Sequence, residues 1–187
     1  MKNQEKNQAT ATEVLIQVEK EITRIMYTLQ KLKNQVGHDD LTGLLCRNDF
    51  FAELQKMISL SQGGDIAILL IDIDNFKQVN DLEGHIAGDH ILQRVAKILK
   101  RCTKMGAHTG RYGGEEFIIA HSGSEASARA LAEALRRQIK REVNVTVSVG
   151  VATADKAKSE VRRMVGMADQ ALYQAKRSGK NKVCLAA

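Results

Sequence analysis

The chain has no proline and no tryptophan, aromatic residues make up only 4% of it, and its three cysteines are scattered. The scarcity of rings excludes a base-stacking platform, because single-strand binding needs aromatics interleaved with basic residues and no such stripe is present. Cys46, Cys102 and Cys184 are far apart and form no Cys-x-x-Cys pair. They read as reduced, half-buried packing residues and not as a disulfide framework. No apolar run approaches the ~18 residues that a membrane span requires, so no membrane segment is expected. Met1-Lys2-Asn3-Gln4-Glu5 lacks a secretory hydrophobic region, and the expected location is the cytoplasm. The absence of proline excludes nothing about function.

What is present is enough for a core. The 187 residues are 43% hydrophobic, which suits one domain of ordinary size with an appendage. The formal charge is +6. With no ring-and-base stripe, that surplus points to a small anionic ligand and away from nucleic acid.

The appendage comes first. Leu15, Val18, Ile22, Ile25, Leu29, Leu32 and Val36 recur at alternating spacings of 3 and 4. This heptad seam predicts a long amphipathic helix over residues 1–37 that pairs with a second copy as a coiled coil. Val14 and Met26 widen the stripe, so a helix folded back on its own domain stays open, as does a parallel or antiparallel pairing. Gly37 suits the end of that helix.

Residues 38–187 read as one domain. Helices are predicted over 50–60, 86–99, 124–141 and 161–177. Ile66 to Ile71 is an unbroken apolar run, the mark of a strand buried on both faces. Arg111 to Ala120 reads as a hairpin whose Gly113-Gly114 turn supplies positive φ. Val143 to Ala152 alternates as a strand, and Lys182 to Leu185 makes a short final one. Helices interleave with strands while the hairpin forces antiparallel pairing, which predicts an α+β fold, a mixed and largely antiparallel sheet flanked by helices.

Two acidic clusters dominate the chemistry. Asp72-Ile73-Asp74 ends the buried strand, and Glu115-Glu116 follows the Gly-Gly turn. Carboxylates are seldom buried unless paired or bound to metal, so facing clusters suggest a divalent-cation site for phosphoryl chemistry. Asp74 also resembles a cap for the next turn, and a structural role is favoured for it. Lys77 follows the acidic turn. Lys176 and Lys180 close the last predicted helix, where lysines ordinarily complement the helix dipole. Asn80 and Asp89 flank Gly84-His85 and have the donors and acceptors to read a guanine edge.

Taken together, these blocks resemble the GGDEF family, the diguanylate cyclases. The matching strings are His38-Asp39-Asp40-Leu41-Thr42-Gly43-Leu44 and Ile71-Asp72-Ile73-Asp74-Asn75-Phe76-Lys77, then Asn80-Asp81, Gly84-His85 and Gly88-Asp89. They continue through Arg111-Tyr112-Gly113-Gly114-Glu115-Glu116-Phe117 and Val147-Ser148-Val149-Gly150-Val151-Ala152, and end with Ala168-Asp169, Ala171-Leu172-Tyr173, Ala175-Lys176 and Gly179-Lys180-Asn181. The resemblance implies a ferredoxin-like palm and an enzyme that joins two GTP into cyclic di-GMP with release of pyrophosphate, as a homodimer holding one GTP per protomer. It implies Asp72, the carbonyl of Ile73, Glu115 and Glu116 as ligands of two Mg2+ per site, with Mn2+ as a substitute, and Glu115 as an aid to deprotonation. It further implies Asn80 and Asp89 on guanine, Lys77, Lys176 and Lys180 on the phosphates, and Gly113 and Gly114 against the nucleotide. The Arg-x-x-Asp product-binding motif of many members is Lys104-Met105-Gly106-Ala107 here. Lysine cannot reproduce bidentate arginine recognition and alanine accepts no hydrogen bond, so no inhibition through that site is expected. A non-catalytic module that binds GTP or cyclic di-GMP is the main alternative. An enzyme of relaxed base choice is another.

Overall fold

The computed structural model describes residues 16–26, 37–59, 64–103, 107–155 and 160–186. The chain divides into two compact units, Met1–Gly37 and His38–Ala187.

In the first unit residues 16–26 are helical (α1). Val18, Ile22 and Ile25 of the seam stand about half exposed, at 49%, 51% and 51%. Leu15, Leu29, Leu32 and Val36 lie outside the described residues.

The second unit is built on a five-stranded sheet with strand order β2-β3-β1-β4-β5. Its elements are α2 (Arg47–Ser59), β1 (Asp65–Ile73), α3 (Phe76–Glu83), α4 (His85–Cys102), β2 (Ala107–Arg111), β3 (Glu116–Ser122), α5 (Glu125–Val143), β4 (Val147–Asp155), α6 (Val161–Arg177) and β5 (Val183–Leu185). β1 is central and runs antiparallel to both β3 and β4. The β2–β3 hairpin is antiparallel and β4–β5 is parallel. The sheet is therefore mixed and largely antiparallel, as the sequence predicts.

Burial on both faces explains the unbroken run in β1, since alternate residues serve separate cores. Ala67, Leu69, Ile71 and Ile73 join α4 and α5 in one cluster around Leu92, Val95, Leu135 and Ile139. Ile66, Ile68 and Leu70 join α2 and α6 in the other, around Phe50, Leu54, Ala168 and Leu172. Asp72 has the parity of the second set.

One glycine sets how closely a helix lies on the sheet. A Cβ at Gly150 of β4 would meet the Ala168 carbonyl oxygen at 2.1 Å and the Leu172 nitrogen at 2.2 Å. Only a residue without a side chain lets α6 rest directly on β4.

Three local expectations are corrected. The strand predicted from Val143 begins at Val147 instead, because Val143 completes α5 and Asn144 terminates that helix in the left-handed region at φ 66°. The short helix α3 adds a turn of structure between β1 and α4 that the hydrophobic pattern did not signal. Finally, neither Gly113 nor Gly114 is among the glycines with positive φ. The Glu116 side chain folds over Gly113, its Oε2 atom 2.6 Å from where a Cβ would stand, so a larger residue there would push that carboxylate aside. Among the described residues, no helix is long and apolar enough to cross a membrane.

Candidate active site

The register of the sheet brings the two acidic clusters together. Asp72, next to last in β1, pairs across the ladder with Glu116, the first residue of β3. Glu115 precedes it in the turn, and its carbonyl accepts from the Ile73 amide at 3.4 Å. Asp72 is 6% exposed, while Glu115 and Glu116 are half-buried. Burial pushes the Asp72 carboxyl above the ordinary range, and a hydrogen bond from Lys176 offsets part of that rise. Glu115 is raised first by burial and then by the charge of Asp72, with Lys176 opposing and Glu116 adding to the rise. Each acid thus resists carrying its charge beside the others, and a bound cation would relieve both.

Asp74 is also 6% exposed, but its oxygens are already engaged. Thr146 and Ser148 donate their hydroxyls to it, each at 2.7 Å, and the Asn181 amide donates at 3.0 Å. It ties the end of β1 to the start of β4 and to the loop after α6, a structural role but not the cap expected from the sequence, since Asn75 takes the N-cap of α3.

That loop brings in the basic residues. Gly179, Lys180 and Asn181 all have positive φ, at 110°, 61° and 47°, a run of left-handed backbone that folds the chain back after α6. Lys180 donates to the Asn75 side chain. Lys176, one turn beyond Leu172 on α6, donates to Asp72 at 2.7 Å. Dipole complementation, the ordinary reading of these lysines, is therefore not what Lys176 chiefly does. Lys77 stands exposed in the first turn of α3.

Asn80 and Asp89 lie on the two sides of the elbow between α3 and α4. A Cβ at Gly88 would overlap the Asn80 Oδ1 atom at 2.0 Å, so the Asn80 side chain rests against Gly88, the residue before exposed Asp89.

Arg111 is a positioning residue for which sequence reasoning assigned no role. Its guanidinium pairs with both oxygens of Asp39, at 3.1 and 2.9 Å, and donates to the Gly114 carbonyl at 2.7 Å. Asp39 in turn accepts from the Thr42 amide at 2.9 Å and hydroxyl at 2.6 Å. The strings beginning His38-Asp39 and Arg111-Tyr112, separate in sequence, thus form one brace under the Gly-Gly turn. Their joint appearance among the matching blocks was the available signal.

The oxygen donors at this strand end suit a hard divalent cation. Among the described residues, however, no group of three or more His, Cys, Asp or Glu side chains is placed to hold a metal ion. The three acids are neighbours without forming a closed cage. Magnesium fits such a partial donor set, because it usually takes one or two carboxylates and completes its shell with substrate phosphates and water.

Buried acids at the end of a central antiparallel strand, lysines beside them and an amide and a carboxylate flanking the α3–α4 elbow are chemistry that would suit a phosphorylated ligand on a palm-like sheet. Comparisons with known proteins give the family. The family described as "Diguanylate cyclase, GGDEF domain" matches residues 36–182, and the chain belongs to it. Diguanylate cyclase A of Treponema denticola is 34% identical over 161 residues, which cover 79% of this chain and 43% of that protein. Diguanylate cyclase VdcA of Vibrio cholerae is 35% identical over 174 residues, 87% of this chain and 51% of that one. The chain spans roughly half or less of these curated relatives. Among solved structures, the coiled coil and GGDEF domain of DgcB from Caulobacter crescentus in complex with c-di-GMP aligns with a TM-score of 0.83 at 28% identity, over 92% of this chain and 97% of that one.

Proposed function

We propose that this chain is a magnesium-dependent diguanylate cyclase that condenses two GTP into cyclic di-GMP and two pyrophosphates. The observation that carries the reading is the placement of Asp72 opposite Glu116, with Glu115 beside them and Lys176 on Asp72. Relatives named as diguanylate cyclases support it. Asp72, the Ile73 carbonyl, Glu115 and Glu116 hold the metal, either magnesium or manganese, two ions per site. When bound, the metal neutralises charge at the transferring phosphorus and acidifies the attacking hydroxyl.

The other roles belong to this chain's own groups. Asn80 and Asp89 orient guanine, Asp89 by accepting from its N1 and N2 protons, a donor pair that adenine lacks. Lys77, Lys176 and Lys180 hold the β- and γ-phosphates. Gly113 and Gly114 let the nucleotide approach the turn. Glu115, at the strand end beside Asp72, takes the proton of the 3′-hydroxyl as general base. The freed oxygen forms a bond to the α-phosphorus of the second GTP as the bond to pyrophosphate breaks. The same step then closes the ring from the other side.

Each protomer supplies one GTP, so the reaction needs two chains face to face. The 15–36 seam would join them as a coiled coil and raise the local concentration of the second domain, into the millimolar range typical of short tethers. The expected compartment is the cytoplasm. Incubation of the protein with GTP, ATP and Mg2+, followed by mass analysis, is expected to yield cyclic di-GMP. Binding without product would sink the enzymatic reading, and a mixed dinucleotide would sink the guanine specificity.

We also propose that product does not inhibit through the usual site, because Lys104 and Ala107 replace its arginine and aspartate. Lys104 lies outside the described residues. Cyclic di-GMP added to the working enzyme is expected to leave the initial rate unchanged; tight binding that slows turnover contradicts this.

A further inference from the structure

Lys176 meets Asp72 at 2.7 Å, with the lysine side chain 35% exposed and the aspartate side chain 8% exposed. The carboxylate that the proposed function gives to a cation is therefore already paired. Withdrawing α6 to release it would expose the apolar face, Met164, Ala168 and Leu172, that the helix buries against the sheet. The lysine head group is another matter: it ends a flexible four-carbon stem, carries three rotatable donors and is partly open to solvent. Lys180 differs in donating its hydrogen bond to the Asn75 side chain and reaching Asp72 through its charge alone.

We propose that Lys176 is a placeholder for the divalent cation. With no nucleotide bound, its ammonium neutralises Asp72. When a triphosphate enters, the ammonium transfers to a phosphate oxygen and leaves Asp72 to the metal. The inference rests on the nucleotide reading of this site and extends it to the order of assembly. Two positive charges compete for one buried carboxylate, so a divalent cation alone binds weakly. Cation and nucleotide together bind well, because the triphosphate gives the displaced lysine a new anionic partner. Linkage makes this reciprocal: whatever the nucleotide adds to metal affinity, the metal adds to nucleotide affinity.

The test uses the purified full chain, stripped of metal and titrated with Mn2+ alone, free Mn2+ being read by electron paramagnetic resonance. Lys176→Met is expected to tighten Mn2+ binding about tenfold over wild type, within the usual range of coupling between sites. Lys180→Met removes an equal charge without vacating Asp72, and its gain is expected to stay below about threefold on the same scale. Asp72→Asn placed on Lys176→Met is expected to abolish the gain. Adding 3′-deoxy-GTP, which cannot react, should tighten Mn2+ binding more in wild type than in Lys176→Met. Lys176→Gln repeats the contrast if the methionine variant does not fold, as circular dichroism would show. The placeholder is overturned if neither variant at 176 binds Mn2+ more tightly than wild type, or if Lys180→Met gains as much. No turnover enters these measurements. A protein that makes no cyclic di-GMP can still show the exchange, and an active cyclase without the gain loses only the placeholder.

Discussion

At the scale of single residues, Glu115 carries its charge against resistance. Its carboxyl is raised from the ordinary 4.5 by burial first and by Asp72 second. The folded protein therefore holds this proton more tightly than the unfolded chain does. Its contribution to stability is most favourable below pH 4.5 and is lost as pH rises through the raised value. At neutral pH, without metal, the ionised group opposes folding. Glu115→Gln keeps the shape and removes the charge, so in EDTA at pH 7 its Tm is expected to exceed that of wild type. The gap should close as the pH is lowered toward 4.5. Calorimetry across that range checks it, and a variant less stable than wild type at neutral pH contradicts it. This is the trade expected where a site is kept unfavourable for function. The acids themselves were legible from sequence, because carboxylates in an apolar setting demand an explanation. The surroundings of Gly113 were not. Its φ is not positive, and the Glu116 side chain three residues on lies where a Cβ would stand, a contact no local pattern encodes.

At the scale of elements, the site depends on how far α6 stands from the sheet. Gly150 permits contact with the Ala168 carbonyl and the Leu172 nitrogen, and Lys176 lies one turn further along the same helix. Gly150→Ala has to push backbone away from backbone, with no flexible side chain to yield. It is expected to cost about 1–3 kcal/mol, as overpacking of a tight core does, and to lower activity by moving Lys176 from Asp72. Denaturant unfolding and steady-state rates measure the two effects, and wild-type values for both would refute the argument. The buried strand, the hairpin and the four longer helices were visible in the hydrophobic periodicity. α3 was not, because its eight residues include one buried side chain, Phe76, and give no repeat to detect. The true start of β4 was hidden for a related reason. Val143 and Val145 continue an alternating pattern, yet Asn144 turns the chain between them. Lys176 was under-read because pairing with Asp72 depends on helix-to-sheet distance, and that distance is set by a glycine in another element.

At the scale of the molecule, each GTP is both nucleophile and electrophile, so the proposed reaction is bimolecular in protein. Specific activity is expected to rise with protein concentration. Removal of residues 1–35 should shift that rise to higher concentration by about 100-fold or more, the usual range for loss of a tether. Activity independent of concentration and unchanged by the truncation would reject the coiled-coil role. Glu115 joins all three scales: its charge is held unfavourably, its turn is braced by Arg111 and Asp39, and in the proposed reaction its acid works on a hydroxyl facing a second chain. The decisive measurement is cyclic di-GMP formation from GTP and Mg2+ by Glu115→Gln beside wild type, with GTP binding measured on both. A fall of about 100-fold or more in rate is expected, the typical weight of a general base, with nucleotide still bound. Wild-type synthesis by the variant would contradict the account at its centre.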